Sequence, residues 1–186
     1  MLKHSCLLEK LKAQLTRSAE LGPILDLACG TGRNGIYLVE NALPVVFADA
    51  DEEALAQVRS ALPGIARRDQ RAKARLWRVD FEADRPGPLD NKRFGGIMVF
   101  RYLHRPLMTA IRQAVAPGGI VIYETFTVDQ PVFGRPHNPD FLLCHDELKA
   151  CFGNWDILHY YEGVRGRPES GRQRAIAQIV AVKPDE

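Results

Sequence analysis

Ile24-Leu25-Asp26-Leu27-Ala28-Cys29-Gly30-Thr31-Gly32-Arg33-Asn34-Gly35 is the segment from which the rest of the chain can be interpreted. Its apolar start predicts a buried strand, and Ile36-Tyr37-Leu38-Val39 after it follows a helical pattern. The glycines between them predict a tight turn, because Gly30 and Gly32 can adopt positive φ and let a ligand approach the backbone. The free N–H groups at the start of the helix suit an anionic group such as a carboxylate or a phosphate.

Two classes of ligand fit this turn. Residues 30–35 spell G-x-G-x-x-G, the dinucleotide fingerprint. Asp26, however, lies inside the strand just ahead of the glycines, where its carboxylate would repel a pyrophosphate and attract an ammonium group. S-adenosylmethionine carries an ammonium, a carboxylate, a sulfonium and a ribose but no phosphate, so Asp26 favours it. A turn without a ligand is the third interpretation, and it is disfavoured because a plain turn needs neither two glycines nor a preceding acid.

The segment from Asp26 to Gly32 resembles motif I of class I S-adenosylmethionine-dependent methyltransferases, D/E-x-G-x-G-x-G, with Ala28 in place of the first glycine. The continuation Gly-Arg-Asn-Gly-Ile-Tyr-Leu is similar to the small, tellurite-resistance type of these enzymes. The resemblance extends from Pro23 to Val182. It implies an α/β fold with a single Rossmann-like, doubly wound sheet of seven mostly parallel strands, the last one antiparallel, and helices on both faces. It also implies S-adenosylmethionine as the cofactor.

Length and composition limit the classes to which the chain can belong. At 186 residues, 46% of them hydrophobic, the chain can bury a real core, and we expect residues 1–186 to form a single domain. A dehydrogenase usually has a substrate domain beside its dinucleotide domain, and little chain is left for one. The formal charge of +2 is near neutral, so composition alone indicates neither a nucleic-acid nor a membrane partner.

The sequence carries no evident metal-binding or targeting signal. Its four cysteines, Cys6, Cys29, Cys144 and Cys151, show no C-x-x-C spacing, so we expect reduced thiols and no metal site. No long apolar segment precedes Glu9, and no run approaches ~18 apolar residues, so we expect neither a signal peptide nor a membrane span. These features predict a cytoplasmic protein.

Helical and strand patterns alternate along the chain, which predicts a parallel sheet covered on both faces. Leu8, Leu11 and Leu15 recur at helical spacing and predict an N-terminal helix within residues 1–22. The resemblance implies that this helix closes over the cofactor, although simple packing explains the same leucines. Strands are predicted over 24–27, 44–48, 76–79, 96–100, 120–123, 155–162 and 175–182. Helices are predicted to about residue 41, from 51 to Pro63-Gly64, from 106 to Pro117-Gly118-Gly119 and over 146–152, and loops over 67–73 and 84–93.

Acidic residues follow the second and third predicted strands. Asp49 lies about 20 residues beyond the glycines, where a carboxylate can accept hydrogen bonds from ribose hydroxyls in either class of ligand. Asp51 is better explained as the N-cap of the next helix. The resemblance implies that Asp80 meets the adenine amino group and that Phe81 packs near the base, whereas a turn would also explain Asp80. The predicted cofactor-binding residues are Asp26, Ala28, Gly30, Gly32, Asn34, Asp49, Ala50, Asp80, Phe81 and Phe100.

The ends of the fourth and fifth strands are predicted to hold the methyl acceptor, because open α/β sheets bind ligands at this edge. Arginines gather there, and guanidinium groups bind oxyanions well, so the sequence predicts a small anionic acceptor. Residues 127–145, rich in proline and aromatic residues, are a candidate substrate lid. The predicted catalytic residues are Arg101, Tyr102, Glu124 and His137, and the predicted substrate-binding residues are His104, Arg105 and Arg135. Glu124 in a structural ion pair and His137 as a solvated histidine are the open alternatives.

The leading hypothesis is a methyltransferase that acts on a small molecule by in-line transfer from S-adenosylmethionine, and the arginines favour an anionic one. An RNA or protein methyltransferase is the alternative if the basic segments 67–78 and 165–174 form one face near the site. The absence of a D/N-P-P-Y tetrapeptide and of a Pro-Cys nucleophile lowers the odds of a base-modifying enzyme. An NAD-dependent oxidoreductase and a non-catalytic module with this fold are hypotheses of other classes.

Overall fold

A seven-stranded sheet forms the centre of the computed structural model, which describes residues 3–65, 68–71, 73–83, 87–166 and 173–185. The strand order is β3-β2-β1-β4-β5-β7-β6. Strands β1 to β5 run parallel, and β7 runs antiparallel to both of its neighbours, β5 and β6. The strands are β1 (Ile24–Leu27), β2 (Val45–Asp49), β3 (Ala74–Arg78), β4 (Phe94–Phe100), β5 (Val115–Phe126), β6 (Asp156–Arg165) and β7 (Arg174–Val182). The predicted fold class is confirmed.

Helices cover both faces because side chains alternate along the buried strands. Ile24 joins one core with Leu15 and Val58, whereas the next residue, Leu25, joins another with Ile111 and Phe152. The helices are α1 (Cys6–Lys10), α2 (Lys12–Glu20), α3 (Arg33–Glu40), α4 (Glu52–Ile65), α5 (Arg68–Arg71), α6 (Leu107–Ala114) and α7 (Glu147–Phe152). Two short 3-10 turns, Gln130–Val132 and Pro139–Phe141, lie in the segment that precedes α7.

Several predicted boundaries were wrong. The single N-terminal helix is two, because Leu11 leaves the helical conformation between α1 and α2. Helix α4 continues through Pro63 to Ile65, although the proline removes one hydrogen bond from its last turn. Pro117-Gly118-Gly119 does not precede β5 but lies within it, at a register shift against β4. Residues 68–71 of the predicted basic loop are helical. Residues 67, 72 and 84–86 of the predicted loops and 167–172 of the basic segment 165–174 lie outside the described part of the chain.

The carboxyl ends of β1, β2, β4 and β5 share one edge of the sheet, and β1 and β4 are the neighbours at which the strand order reverses. In open α/β sheets, such a switch point opens the crevice in which ligands bind. The glycine turn follows β1 at this edge, and Arg101 follows β4. Within the described ranges, no helix combines the length and the apolar character needed to cross a bilayer.

Candidate cofactor and acceptor site

The turn after β1 is built from residues in the left-handed region. Ala28 has φ 51°, Gly30 has φ 53° and Gly32 has φ 74°. A Cβ atom at Gly32 would lie 2.7 Å from Val58 Cγ2, whereas a Cβ at Gly30 would meet nothing within 4 Å. Gly32 therefore faces the core, and Gly30 faces open space at the ligand edge. Ala28, which stands where the resemblance places a glycine, adopts its positive φ at a cost of about 1 kcal/mol.

Asp26 ties the strand to the first turn of α3. Its side chain is 3% exposed, and its Oδ2 accepts a hydrogen bond from the N–H of Gly35 at 2.8 Å. Burial raises the pKa of this carboxyl to about 8. The hydrogen bond from Gly35 and the charge of Arg33 lower the pKa, but by less than burial raises it. Asp26 was expected to face the ligand as a carboxylate. Instead it occupies a helix N–H that a pyrophosphate would need, which also disfavours a dinucleotide.

The buried carboxyl of Asp26 predicts a pH-dependent stability. Its pKa is higher in the folded chain, about 8, than in the unfolded chain, where it is near 3.8. The folded state therefore binds the extra proton, and this contribution to stability is full below pH 4 and lost as the pH rises to 8. We expect the free energy of unfolding to fall across this window by up to about 1.4 kcal/mol per pH unit relative to Asp26→Asn. Urea denaturation of both proteins at pH 5, 6.5 and 8 measures the difference, and parallel curves would contradict it.

Asp49 closes the glycine turn from the end of β2. Its Oδ2 accepts a hydrogen bond from the N–H of Gly30 at 2.7 Å, and its Oδ1 accepts one from the N–H of Asp51 at 2.9 Å. Each oxygen retains a lone pair, so the carboxylate can still accept bonds from ribose hydroxyls. Asp51 in turn accepts from the N–H groups of Glu53 and Ala54, which confirms it as the N-cap of α4.

The other predicted cofactor residues differ in how far they face solvent. Ala50 and Asp80 are exposed after β2 and β3, and Asp80 Oδ1 accepts a bond from the N–H of Glu82. Phe81 is 5% exposed and stands edge-on to Trp77, with ring centroids 5.7 Å apart. Phe100 is also buried, at the end of β4. Both aromatic rings are therefore held by the core, and their roles toward the base remain predictions.

The segment before α1 packs on the first turns of α3. Asn34, a predicted cofactor residue, is buried, and its Oδ1 accepts a hydrogen bond from the N–H of Ser5 at 2.9 Å. Arg33 donates to the carbonyl of Lys3 at 3.0 Å, and the ring of His4 stacks on Tyr37 at 3.9 Å. Asn34 thus fastens the N-terminal segment beside the glycine turn.

An arginine-rich cavity of about 270 Å³ lies beyond that segment, at the ends of β4, β5 and β7. Among the described residues it is lined by four arginines and one carboxylate, that of Glu124, whose Oε2 accepts a hydrogen bond from the side-chain amide of Gln178. The arginines are Arg33, Arg101, Arg165 and Arg174. Within the described ranges, none of them has a carboxylate oxygen within 4 Å. We call this space the arginine cavity.

Arg101 lines a second cavity as well, which we call the apolar cavity. This space of about 490 Å³ is bounded mainly by hydrophobic and aromatic side chains. Its lining residues are Glu82, Arg101, Tyr102, Leu103, Thr125, Phe126, Arg135, Pro136 and Phe141. Tyr102 OH donates to Glu82 Oε1 at 3.3 Å, and burial and this acidic neighbour raise the pKa of the phenol. The two cavities bring together Arg101, Tyr102, Glu124 and Arg135 of the predicted acceptor residues.

Arg101 itself is held in an unusual conformation between the two cavities. Its φ is 60°, which is rare for a residue with a side chain, and its N–H donates to the carbonyl of Glu124 at 2.7 Å. Its guanidinium lies 5.9 Å from the ring centroid of Phe126. Burial and the positive charges of Arg174 and Arg33 lower the pKa of Arg101. A negatively charged ligand would relieve this repulsion.

Three predicted acceptor residues lie elsewhere. Arg105 is engaged with Glu147, through bonds of 2.7 and 2.9 Å to the two carboxylate oxygens, and with the carbonyls of Asp140 and Leu142. It therefore clamps the 127–145 segment to α7. His137 is exposed and lines neither cavity, and His104 lines only neighbouring spaces beside α6.

The sequence analysis missed the contribution of β7. Arg174, Ile176 and Gln178 alternate along this strand, and all three line the arginine cavity. The period of two was visible in the sequence and predicts that these side chains share one face. The sequence did not show that these side chains reach the edge of the sheet where ligands bind. Their position there depends on the pairing of β7 with β5, in which Gln178 lies opposite Glu124.

A family model described as a methyltransferase domain matches residues 24–119, more than half of the chain. A search of curated proteins found no match. The matched range contains the glycine turn, Asp49 and Asp80, which together fit S-adenosylmethionine: Gly30 leaves an open face, and carboxylates stand at the ends of β2 and β3.

Solved structures share the fold over nearly the whole chain. TehB from Haemophilus influenzae is 20% identical with a TM-score of 0.67, over 92% of this chain, which spans 61% of the length of TehB. A SAM-dependent methyltransferase from Methanosarcina mazei is 14% identical with a TM-score of 0.69, over all of both chains. The glycopeptide N-methyltransferase MtfA, in complex with S-adenosyl-L-methionine, is 18% identical with a TM-score of 0.61, over 93% of this chain and 87% of its own. Fold, turn and family match agree: the chain belongs to the methyltransferase domain family, as a class I S-adenosylmethionine-dependent methyltransferase that shares its fold with TehB.

Proposed function

We propose that the protein methylates a small anionic molecule held at the carboxyl ends of β4 and β5. The observation that carries the proposal is the arginine cavity, where four guanidinium groups converge and, in the part of the chain described, none has a carboxylate partner. Glu124 offsets only part of this positive charge, and an oxyanion matches the planar fork of a guanidinium. The cavity lies on the side of β4 away from β2, so an acceptor there would approach the cofactor from the β5 side.

The protein's part in the reaction is alignment and charge compensation. Bound S-adenosylmethionine supplies an activated methyl group, whose carbon bonds to a lone pair of the acceptor while the electron pair of the broken C–S bond stays on sulfur. Gly30 would give the cofactor room, and Asp49 and Asp80 would accept hydrogen bonds from its ribose and adenine groups. Arg101 and Arg174 would fix the acceptor's negative charge, and a water-poor site favours a step in which charge is lost.

Glu124 is the carboxylate that the described residues contribute to the arginine cavity. Gln178 donates to its Oε2 and holds the carboxylate in one orientation, and no described arginine or lysine nitrogen lies within 4 Å of it. In this position Glu124 can accept a proton or a hydrogen bond from an acceptor that carries an O–H or N–H group.

The geometry favours a small molecule over RNA or protein. The basic segment before β3 enters the sheet at its amino edge, where Val45 N–H bonds to the carbonyl of Lys73. The described ends of the second segment, the paired Arg165 and Arg174, lie at the carboxyl edge, where Arg78 at the end of β3 pairs with Glu52. Because β3 and β6 lie at opposite ends of the strand order, the described residues of the two segments do not adjoin, which argues against one continuous nucleic-acid surface.

Label transfer from radioactive S-adenosylmethionine tests the proposal. In a cell extract supplied with the purified protein, we expect label in small molecules that an anion-exchange resin retains. Arg101→Gln and Arg174→Gln should each lower this transfer at least tenfold, because each removes a charge from the arginine cavity. Arg59→Gln, at an exposed arginine of α4, is the matched control and should leave transfer unchanged. Label in RNA or protein, or equal transfer by all variants, would overturn the proposal.

A further inference from the structure

The apolar cavity is a second compartment that the anion-binding role leaves unexplained. At about 490 Å³ it is larger than the arginine cavity, and it lies on the other side of Arg101. Leu103, Phe126 and Phe141 supply its apolar walls. An inorganic oxyanion would gain nothing from such walls, because only the burial of apolar surface makes them favourable.

Charged side chains of both signs line the apolar cavity. Arg101 and Arg135 supply its positive charges, whereas Glu82, with Tyr102 donating to it, supplies a negative one. A carboxylate would be repelled by Glu82 and attracted by Arg101, which also faces the arginine cavity. A ligand with its acidic group at Arg101 can then pack its apolar part against Leu103, Phe126 and Phe141.

The aromatic residues favour a planar body. Phe126 already has the Arg101 guanidinium 5.9 Å from its ring centroid, and Phe141 is half exposed at the mouth of the cavity. The exposed surface of Phe141 is apolar, so a ring packed against it would gain both buried area and a favourable aromatic contact. Clamped by Arg105, the 3-10 turn Pro139–Phe141 holds this ring at the cavity.

We infer that the acceptor is an amphiphilic organic anion, an aromatic carboxylate or a close equivalent, with its ring in the apolar cavity and its acidic group at Arg101. The inference rests on the proposed function, since it assigns a chemical class to the acceptor of that site. It makes the 127–145 segment part of the specificity of the enzyme, because Arg135, Pro136 and Phe141 all belong to it.

Calorimetric titration of the full chain, saturated with S-adenosylhomocysteine, tests the inference with three probes. Phenylacetate combines ring and charge, acetate has the charge alone, and 2-phenylethanol has the ring alone. We expect phenylacetate to bind at least tenfold more tightly than either of the others. Phe141→Ala should remove most of the advantage over acetate, and Arg101→Gln most of the advantage over the alcohol.

Val132→Ala is the matched control, because Val132 lies in the same segment, is 82% exposed and lines neither cavity. It should bind all three probes as the natural protein does. Equal affinity for phenylacetate and acetate, or an unchanged preference in Phe141→Ala, would overturn the inference. Other results would show that the proposed function is wrong. In that case S-adenosylhomocysteine would not bind, or label would enter RNA or protein, independently of the affinities for the three probes.

Discussion

Gly35→Ala is expected to lower the free energy of unfolding by about 3 kcal/mol and to abolish detectable binding of S-adenosylhomocysteine. A Cβ at this position would lie 2.3 Å from Phe47 Cε1 and 2.7 Å from Asp26 Oδ2. The ring of Phe47 is fully buried and cannot move aside freely, so α3 must shift. That shift breaks the bond between Asp26 and the Gly35 N–H and displaces the glycine turn. Urea denaturation and calorimetric titration measure the two effects.

Gly64→Ala provides the control, because Gly64 also lies in a helix, α4, but a Cβ there would meet nothing within 4 Å. Alanine favours the helix over glycine by up to about 1 kcal/mol, so this variant should be slightly more stable than the natural protein and should bind the nucleoside normally. A Gly35→Ala protein as stable as Gly64→Ala would show that the contact between α3 and β2 is not close.

Arg105→Ala is expected to destabilise the protein by about 2 kcal/mol and to release the 127–145 segment, since Arg105 bonds to both oxygens of Glu147 and to two backbone carbonyls. Limited proteolysis with mass spectrometry should then detect cleavage near residues 139–144 at least about tenfold faster. Arg105→Lys should resemble Arg105→Ala, because an ammonium group cannot reproduce the planar, bidentate contact.

Arg78→Ala is the comparison for this experiment. Arg78 also pairs with a glutamate, Glu52, at 2.8 Å, but the two side chains are 66% and 73% exposed. Such exposed pairs contribute between 0 and about 1 kcal/mol, so its loss should change neither stability nor cleavage appreciably. If Arg105→Lys is cleaved at the same rate as the natural protein, the clamp depends on charge alone and the bidentate geometry is not required.

Local features were predictable from the sequence, and contacts between distant parts of the chain were not. The glycine turn, the order of the elements and the Asp51 N-cap depend on neighbouring residues. The partners of Asp26 and Arg105 depend on tertiary packing: Glu147 lies 42 residues beyond Arg105, and nothing in the sequence marks the two as a pair. The same arginine-rich stretch therefore yielded one residue in the cavities, Arg101, and one structural clamp, Arg105.

Helix boundaries were predicted wrongly where a proline or a glycine was interpreted as the end of a helix. Pro63-Gly64 and Pro117-Gly118-Gly119 both look like helix ends, yet α4 continues to Ile65 and the latter residues belong to β5. A proline removes one hydrogen bond, and packing of Leu55, Val58 and Leu62 against the core outweighs that loss in α4. Burial against the core competes with these local signals, and a local sequence pattern does not reveal it.

Strand β7 lies between β5 and β6 and brings residues from the end of the sequence to the arginine cavity. The family match ends at residue 119, so it includes all of the predicted cofactor residues, whereas Glu124, Arg174 and Gln178 of the proposed acceptor wall lie beyond it. Substitutions along β7 can therefore change the proposed acceptor wall while the predicted cofactor residues stay the same. Chimeras that exchange residues 120–182 between relatives should carry acceptor preference with them.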